Sequence, residues 1–289
     1  MTLAGTYLHL FLAQQALSRL AAEAHVSWDP ASFNAGVLGP DIGYFPGGPR
    51  ALSEAVHESH TADLVRSLHQ LASDPAEAAF AAGWSLHVYT DLAVHPQIDQ
   101  RAAQLQMQSP MPAGTDSWHK RIEWGLDCKV LDSSPKRLWN NPLRFPVDGA
   151  PGDVLQRSTA VFFEGAAQPE MLLAGAESTT RWVRRLAPIL AWTGGTRRPD
   201  RHLLCRWSAP VLRPLARGLA RWWTQNPARD DEVAFLNPLR DDEAWLDQLL
   251  QRAYASIEDF LAGWRQDHRQ LENRHLSTGE VIATSSGDR

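Results

Sequence analysis

Between residues 6 and 23 the apolar positions Leu8, Leu12, Ala16 and Leu20 fall every four residues, which lays one stripe along one face of a helix. A Gly- and Pro-rich stretch at 36–49 interrupts the pattern and reads as a loop. Helical spacing returns over 52–72, read as one continuous helix. Asp74-Pro75 then gives a start signal, an acceptor side chain followed by a residue with no N–H to satisfy. The helix it opens is expected to end at His95, because Pro96 follows. Further helices are predicted over 118–131, 155–164, 169–190, 210–223 and 241–274. A polar loop at 109–117 and a Pro- and Asn-rich excursion at 137–153 separate them. No segment alternates with a period of two over the length of a strand. The expectation is an all-α chain, a single domain over 1–276, with metal ligands within 1–130, pocket-shaping helices after them and a disordered tail over 277–289.

Composition fits a globular protein, with 44% hydrophobic and 21% charged residues in 289. A net charge of −5 argues against a dedicated nucleic-acid binder, although residues 137–229 carry 14 arginines against 6 acidic residues. Cys128 and Cys205 supply neither a disulfide framework nor a thiolate metal site, so any metal must be held by His and carboxylate. No apolar run reaches the ~18–20 residues of a membrane span. The N-terminal apolar stretch lacks a basic leader and is broken by Gln14, Gln15 and Arg19. It reads as an amphipathic helix, and the chain is expected in the cytoplasm.

The histidines carry the chemistry. Eight of the eleven lie within the first 119 residues. His87, Asp91 and His95 are four apart, and a helix turns only about 40° beyond a full circle over that step, so they share a face. His119, Glu123 and Asp127 repeat the spacing. Neutral imidazole and carboxylate at i,i+4 suit zinc. One His-x-x-x-Asp pair is ordinarily a hydrogen bond. Asp91, however, sits in the apolar stretch 78–96, where an unpaired carboxylate would be costly, and two such helices together point to metal.

These motifs resemble the zinc-dependent phospholipase C family, which is similar in fold to the S1/P1 nucleases. Thr6-Tyr7-Leu8-His9 resembles its N-terminal histidine helix, and Leu38-Gly39-Pro40-Asp41-Ile42 its glycine–proline–aspartate loop. His57 resembles the next ligand, and the His87/Asp91/His95 and His119/Glu123 sets its two metal-binding helices. The resemblance implies a zinc cluster between helices. Asp41, His57, His87 and Asp91 would hold one ion, with Asp91 bridging to a second held by His9 and the amino terminus. His95, His119 and Glu123 would hold another. Secreted members begin with a chelating tryptophan, whereas this chain begins Met1-Thr2-Leu3, so a Met1 chelate decides between two and three zinc ions. His57 is favoured over His60 as the ligand; His60 would touch a ligand or a phosphate, and Asp127 would touch a ligand, rather than bind an ion. His25 and His69 are expected on the surface, and His202, His268 and His275 have no acid at ligand spacing.

Such a cluster would lower the pKa of a water and neutralise charge on a phosphoester, with Asp41 orienting or deprotonating that water. The leading reading is a zinc-dependent, phospholipase C-like phosphodiesterase acting on a small-molecule or lipid phosphoester. A nuclease or a catalytically silent zinc-stabilised scaffold are the alternatives. The absence of any His-Asp doublet argues against an HD-type phosphohydrolase. Trp84, Trp118 and Trp124 flank the ligand candidates and read first as core. Arg213, Arg217 and Arg221 beside Trp222 and Trp223 read either as a solvated face or as a peripheral membrane contact.

Overall fold

Aspartates open several of the helices. Asp29 accepts from the Ser32 N–H at 3.1 Å ahead of α2 (Pro30–Val37), and Pro30 takes the first helical position. Asp74 accepts from the N–H groups of Ala76 and Glu77 at 2.8 and 2.9 Å, and Asp153 from that of Gln156 at 2.8 Å. The computed structural model describes residues 5–24, 28–108, 114–133, 142–147, 153–163, 165, 168–193 and 243–282. Among them run nine α-helices. Besides α2 they are α1 (Thr6–Ala24), α3 (Arg50–Glu58), α4 (Thr61–Leu71), α5 (Pro75–Gln108), α6 (Thr115–Ser133), α7 (Val154–Phe162), α8 (Pro169–Thr193) and α9 (Glu243–Arg265). No strand forms among the described residues, and Arg274 and Val281 make one isolated antiparallel bridge. The fold is all-α, as the periodicity predicts.

Four expectations are corrected. The single helix over 52–72 is two, α3 and α4, broken at Ser59 and at His60, whose φ is +51°. The helix beginning at Asp74-Pro75 does not stop at His95 but continues through Pro96 to Gln108. An internal proline removes one hydrogen bond and costs about 3 kcal/mol. Complete burial of Val94 and Ile98, each worth about 1.5–3 kcal/mol, offsets that. The last helix ends at Arg265 rather than near 274, and Asp267 and His268 beyond it take φ of +50° and +54°. The polar stretch after Leu276 is ordered as far as Ile282, whose N–H donates to Asn273 O at 2.9 Å. The helix expected over 210–223, with Arg213, Arg217, Arg221, Trp222 and Trp223, lies outside the described residues, as do Met1, His25 and His202.

The chain divides into two compact units. One comprises Met1–Phe11, Gln97–Asn140 and Trp182–Gln251, the other Leu12–Pro96, Asn141–Arg181 and Arg252–Arg289. In the larger unit Leu64, Val65 and Leu68 of α4, Phe80 and Trp84 of α5, Leu155 of α7 and Leu276 form one core. Here α2 and α5 cross at glycines. A Cβ on Gly36 would lie 2.0 Å from Phe80 O, and one on Gly83 2.1 Å from Phe33 O, so both positions demand glycine. Glu77 ties α5 to α7, accepting from Val154 N–H at 3.1 Å and Arg157 Nη2 at 3.0 Å. In the other unit Ile122, Leu126 and Val130 are the buried stripe of α6. Tyr7 donates its hydroxyl proton to Val183 O at 2.5 Å, and Lys129 pairs with Asp247.

Candidate metal centre

Three elements of the larger unit bring donors together. Asp41 opens a 3-10 turn, Ile42–Tyr44, after α2. His57 is on the last turn of α3, and His87, Asp91 and His95 lie along one face of α5. The loop carrying Asp41 is held close to α5 through Gly39, where a Cβ would come within 2.5 Å of the Trp84 ring. One donor atom each from Asp41, His57 and His87 lies within 4.8 Å of the others. His57 Nε2 stands 3.4 Å from Asp41 Oδ1 and 3.5 Å from Asp91 Oδ2. His87 Nε2 is 3.0 Å from Asp91 Oδ2, while His95 Nε2 faces the other oxygen, Oδ1, at 3.5 Å. The Asp91 carboxylate thus looks two ways. All four α3 and α5 residues are buried, Asp91 completely.

The ring nitrogens test whether a metal fits. His57 Nδ1 sits 2.6 Å from Ser53 O and His87 Nδ1 2.8 Å from Val37 O. A carbonyl only accepts, so both Nδ1 atoms carry the proton, and each Nε2 is the nitrogen turned towards carboxylate. With that tautomer, lone pairs of nitrogen and oxygen face one another, an arrangement that calls for a cation between them. Without one, the cation must be a proton. Burial disfavours a charged His57, yet hydrogen bonding to Asp41 and Asp91 outweighs it and pushes its pKa up to about 10. Burial likewise opposes charge on Asp91, but His87, His95 and His57 hold its pKa well below the ordinary carboxylate value. Two carboxylates and neutral imidazoles match one dication in charge and in ligand type. Zinc fits these residues.

The other unit carries a second set. His119 Nδ1 donates to Asp99 Oδ1 at 2.5 Å, and its Nε2 lies 3.4 Å from Glu123 Oε1. Burial disfavours charge on His119, but Glu123 and Asp99 prevail and raise its pKa to about 10. Asp127, fully buried, accepts from the N–H groups of Tyr7 and Leu8 at 2.9 Å each, so it caps the start of α1 and fixes the turn that bears His9. Burial and the nearby Glu123 raise the Asp127 pKa well above its ordinary value. Gly5, at φ +82°, brings the chain past Glu123, where a Cβ would be 3.3 Å from Oε1 and 3.9 Å from His9 Cδ2.

The zinc dependent phospholipase C family model matches residues 8–149. The match supports assigning that segment to the zinc-dependent phospholipase C family. No curated protein and no solved structure matches the chain. Every side-chain donor described above lies inside the matched segment. His60 does not join them. It stands beyond the break after α3, half-exposed, 3.3 Å from Asp63 Oδ2 and stacked on Phe162.

His69, expected on the surface, is instead partly buried in the larger unit, with Nε2 2.8 Å from Ser85 Oγ and its ring stacked 4.8 Å from that of His268. Burial, and the neighbouring ring, push the pKa of His69 down to about 3, and burial takes His268 down to about 4. Asp99 is the residue that sequence reasoning missed. It continues the four-residue ladder His87, Asp91, His95, and ending the helix at Pro96 hid it.

Proposed function

We propose that this chain is a zinc-dependent, phospholipase C-like phosphodiesterase acting on a lipid phosphoester. The observation that carries the reading is the convergence of Asp41, His57 and His87 on Asp91, with each imidazole held by a backbone carbonyl in the tautomer that turns Nε2 inward. In this reading Asp41, His57, His87 and Asp91 would hold one zinc. By the sequence resemblance, His95, His119 and Glu123 would hold another, and His9 with the amino terminus a third where present. Zinc bound there supplies Lewis acidity, lowering the pKa of a water and neutralising charge on the phosphoester. The protein's own residues do the rest. Asp41, only partly buried, would orient a water at the centre or accept its proton. Ser53 and Val37 carbonyls, with Asp99, keep the three imidazoles aimed. Trp84, buried behind Gly39, keeps bulk water from the Asp41 loop on that side.

The test is hydrolysis of phosphatidylcholine vesicles and of bis-p-nitrophenyl phosphate by the zinc-loaded protein. Activity that a chelator abolishes and zinc restores is expected. Zinc-replete protein inert towards both substrates would overturn the reading.

A further inference from the structure

We propose that the C-terminal hairpin, residues 271–282, is a positioning element for the metal centre. It lies outside the family-matched segment, and the inference rests on the reading of His57 as a zinc ligand. The break between α3 and α4 leaves two helix ends without intrahelical partners immediately after His57. The hairpin fills both. Leu276 N–H donates to the carbonyl of His57 itself at 2.8 Å. Asn273 Oδ1 accepts from the N–H groups of Ala62 and Asp63 at 2.9 and 3.1 Å, which is the work of an N-cap supplied from more than 200 residues away. Its Nδ2 donates to Asp63 Oδ2 at 2.7 Å, which fixes the amide orientation. Thr61 Oγ1 donates to Arg274 O at 3.0 Å and accepts from Arg274 N–H at 2.9 Å.

His60, at the N-cap position, makes no side-chain cap of its own and sits in the left-handed region, which costs roughly 1–3 kcal/mol in a non-glycine residue. The hairpin is what makes that break favourable. A continuous helix here would pair the carbonyl of His57 with the N–H of Thr61 and release it from Leu276. Leu271 and Leu276 anchor the hairpin in the core, and His275 N–H to Glu280 O at 3.0 Å closes it. Its turn also reaches α5. A Cβ on Gly279 would lie 3.2 Å from Pro96 Cγ, next to His95.

The experiment measures zinc affinity of the full chain by competition with a chromophoric chelator. The variants are Asn273→Ala, Thr61→Val and Arg269→Ala, each also made in a His57→Ala background, with far-UV circular dichroism on every protein. Loss of a residue that orients a ligand typically weakens metal binding 10- to 100-fold. Asn273→Ala and Thr61→Val should therefore each weaken the tightest zinc by about 10-fold or more, while Arg269→Ala, on an exposed ion pair, should not. In the His57→Ala background neither substitution should weaken the remaining zinc further. Thr61→Val keeps the side-chain shape and serves if Asn273→Ala fails to fold. Unchanged affinity in folded variants, or a loss that persists in full without His57, would overturn the proposal and leave the zinc reading standing. A wild-type chain that takes up no zinc overturns both.

Discussion

His57 and His87 each commit one nitrogen to a backbone carbonyl, and that commitment decides what the other nitrogen can do. Asp91 decides the rest. Its two oxygens face different histidines, so replacing it removes charge from both directions at once. Asp91→Asn should cut zinc content by at least one equivalent and lower hydrolysis by 100-fold or more, on the order of 3 kcal/mol of transition-state stabilisation. His60→Ala should leave zinc content unchanged, because its ring meets Asp63 and Phe162 instead. Elemental analysis and rates on the two purified variants check this, and equal losses would contradict it. In the sequence the two histidines looked like rivals three apart on one helix. What separates them is a backbone reversal that no local residue announces, since no glycine or proline falls between Val56 and Val65.

Elements were legible where their causes are local. The stripe of α1, the Asp74-Pro75 start and the ladder on α5 all follow from residues within a few positions of one another. The misjudged boundaries have distant or compensated causes. The α3–α4 break is held by Asn273, and α5 survives Pro96 because apolar burial on either side outweighs one lost bond. Asp99 was missed for the same reason. His69 on α4, partly buried, and His268 after α9, buried, are another long-range pair, stacked in the larger unit. Both have pKa values depressed below the ordinary 6.5, to about 3 and about 4, so the folded state refuses protons that the unfolded chain accepts. Their contribution is complete above pH 6.5 and is lost as the pH falls towards 4 and then 3. Each should cost roughly 1–2 kcal/mol of stability between pH 7 and pH 5. Urea unfolding at the two pH values should show His69→Gln to be less acid-sensitive than wild type. An identical pH dependence in both proteins would count against the stacked neutral pair.

For the whole molecule, the family match over 8–149 and the all-α architecture agree with the donor pattern that the first 130 residues carry. The residues beyond that segment are not passive filler in this account, because α7 and the C-terminal hairpin pack on the helices that bear the ligands. The central claim is that Asp41, His57, His87 and Asp91 hold zinc. Anomalous diffraction from crystals of the full chain grown with zinc, recorded on both sides of the zinc absorption edge, tests it most directly. Two or three anomalous peaks are expected, one of them ligated by Asp41, His57 and His87 and shared with a neighbour through Asp91. Density with no anomalous peak there, and His57 Nε2 hydrogen-bonded directly to the Asp41 and Asp91 carboxylates, would contradict it.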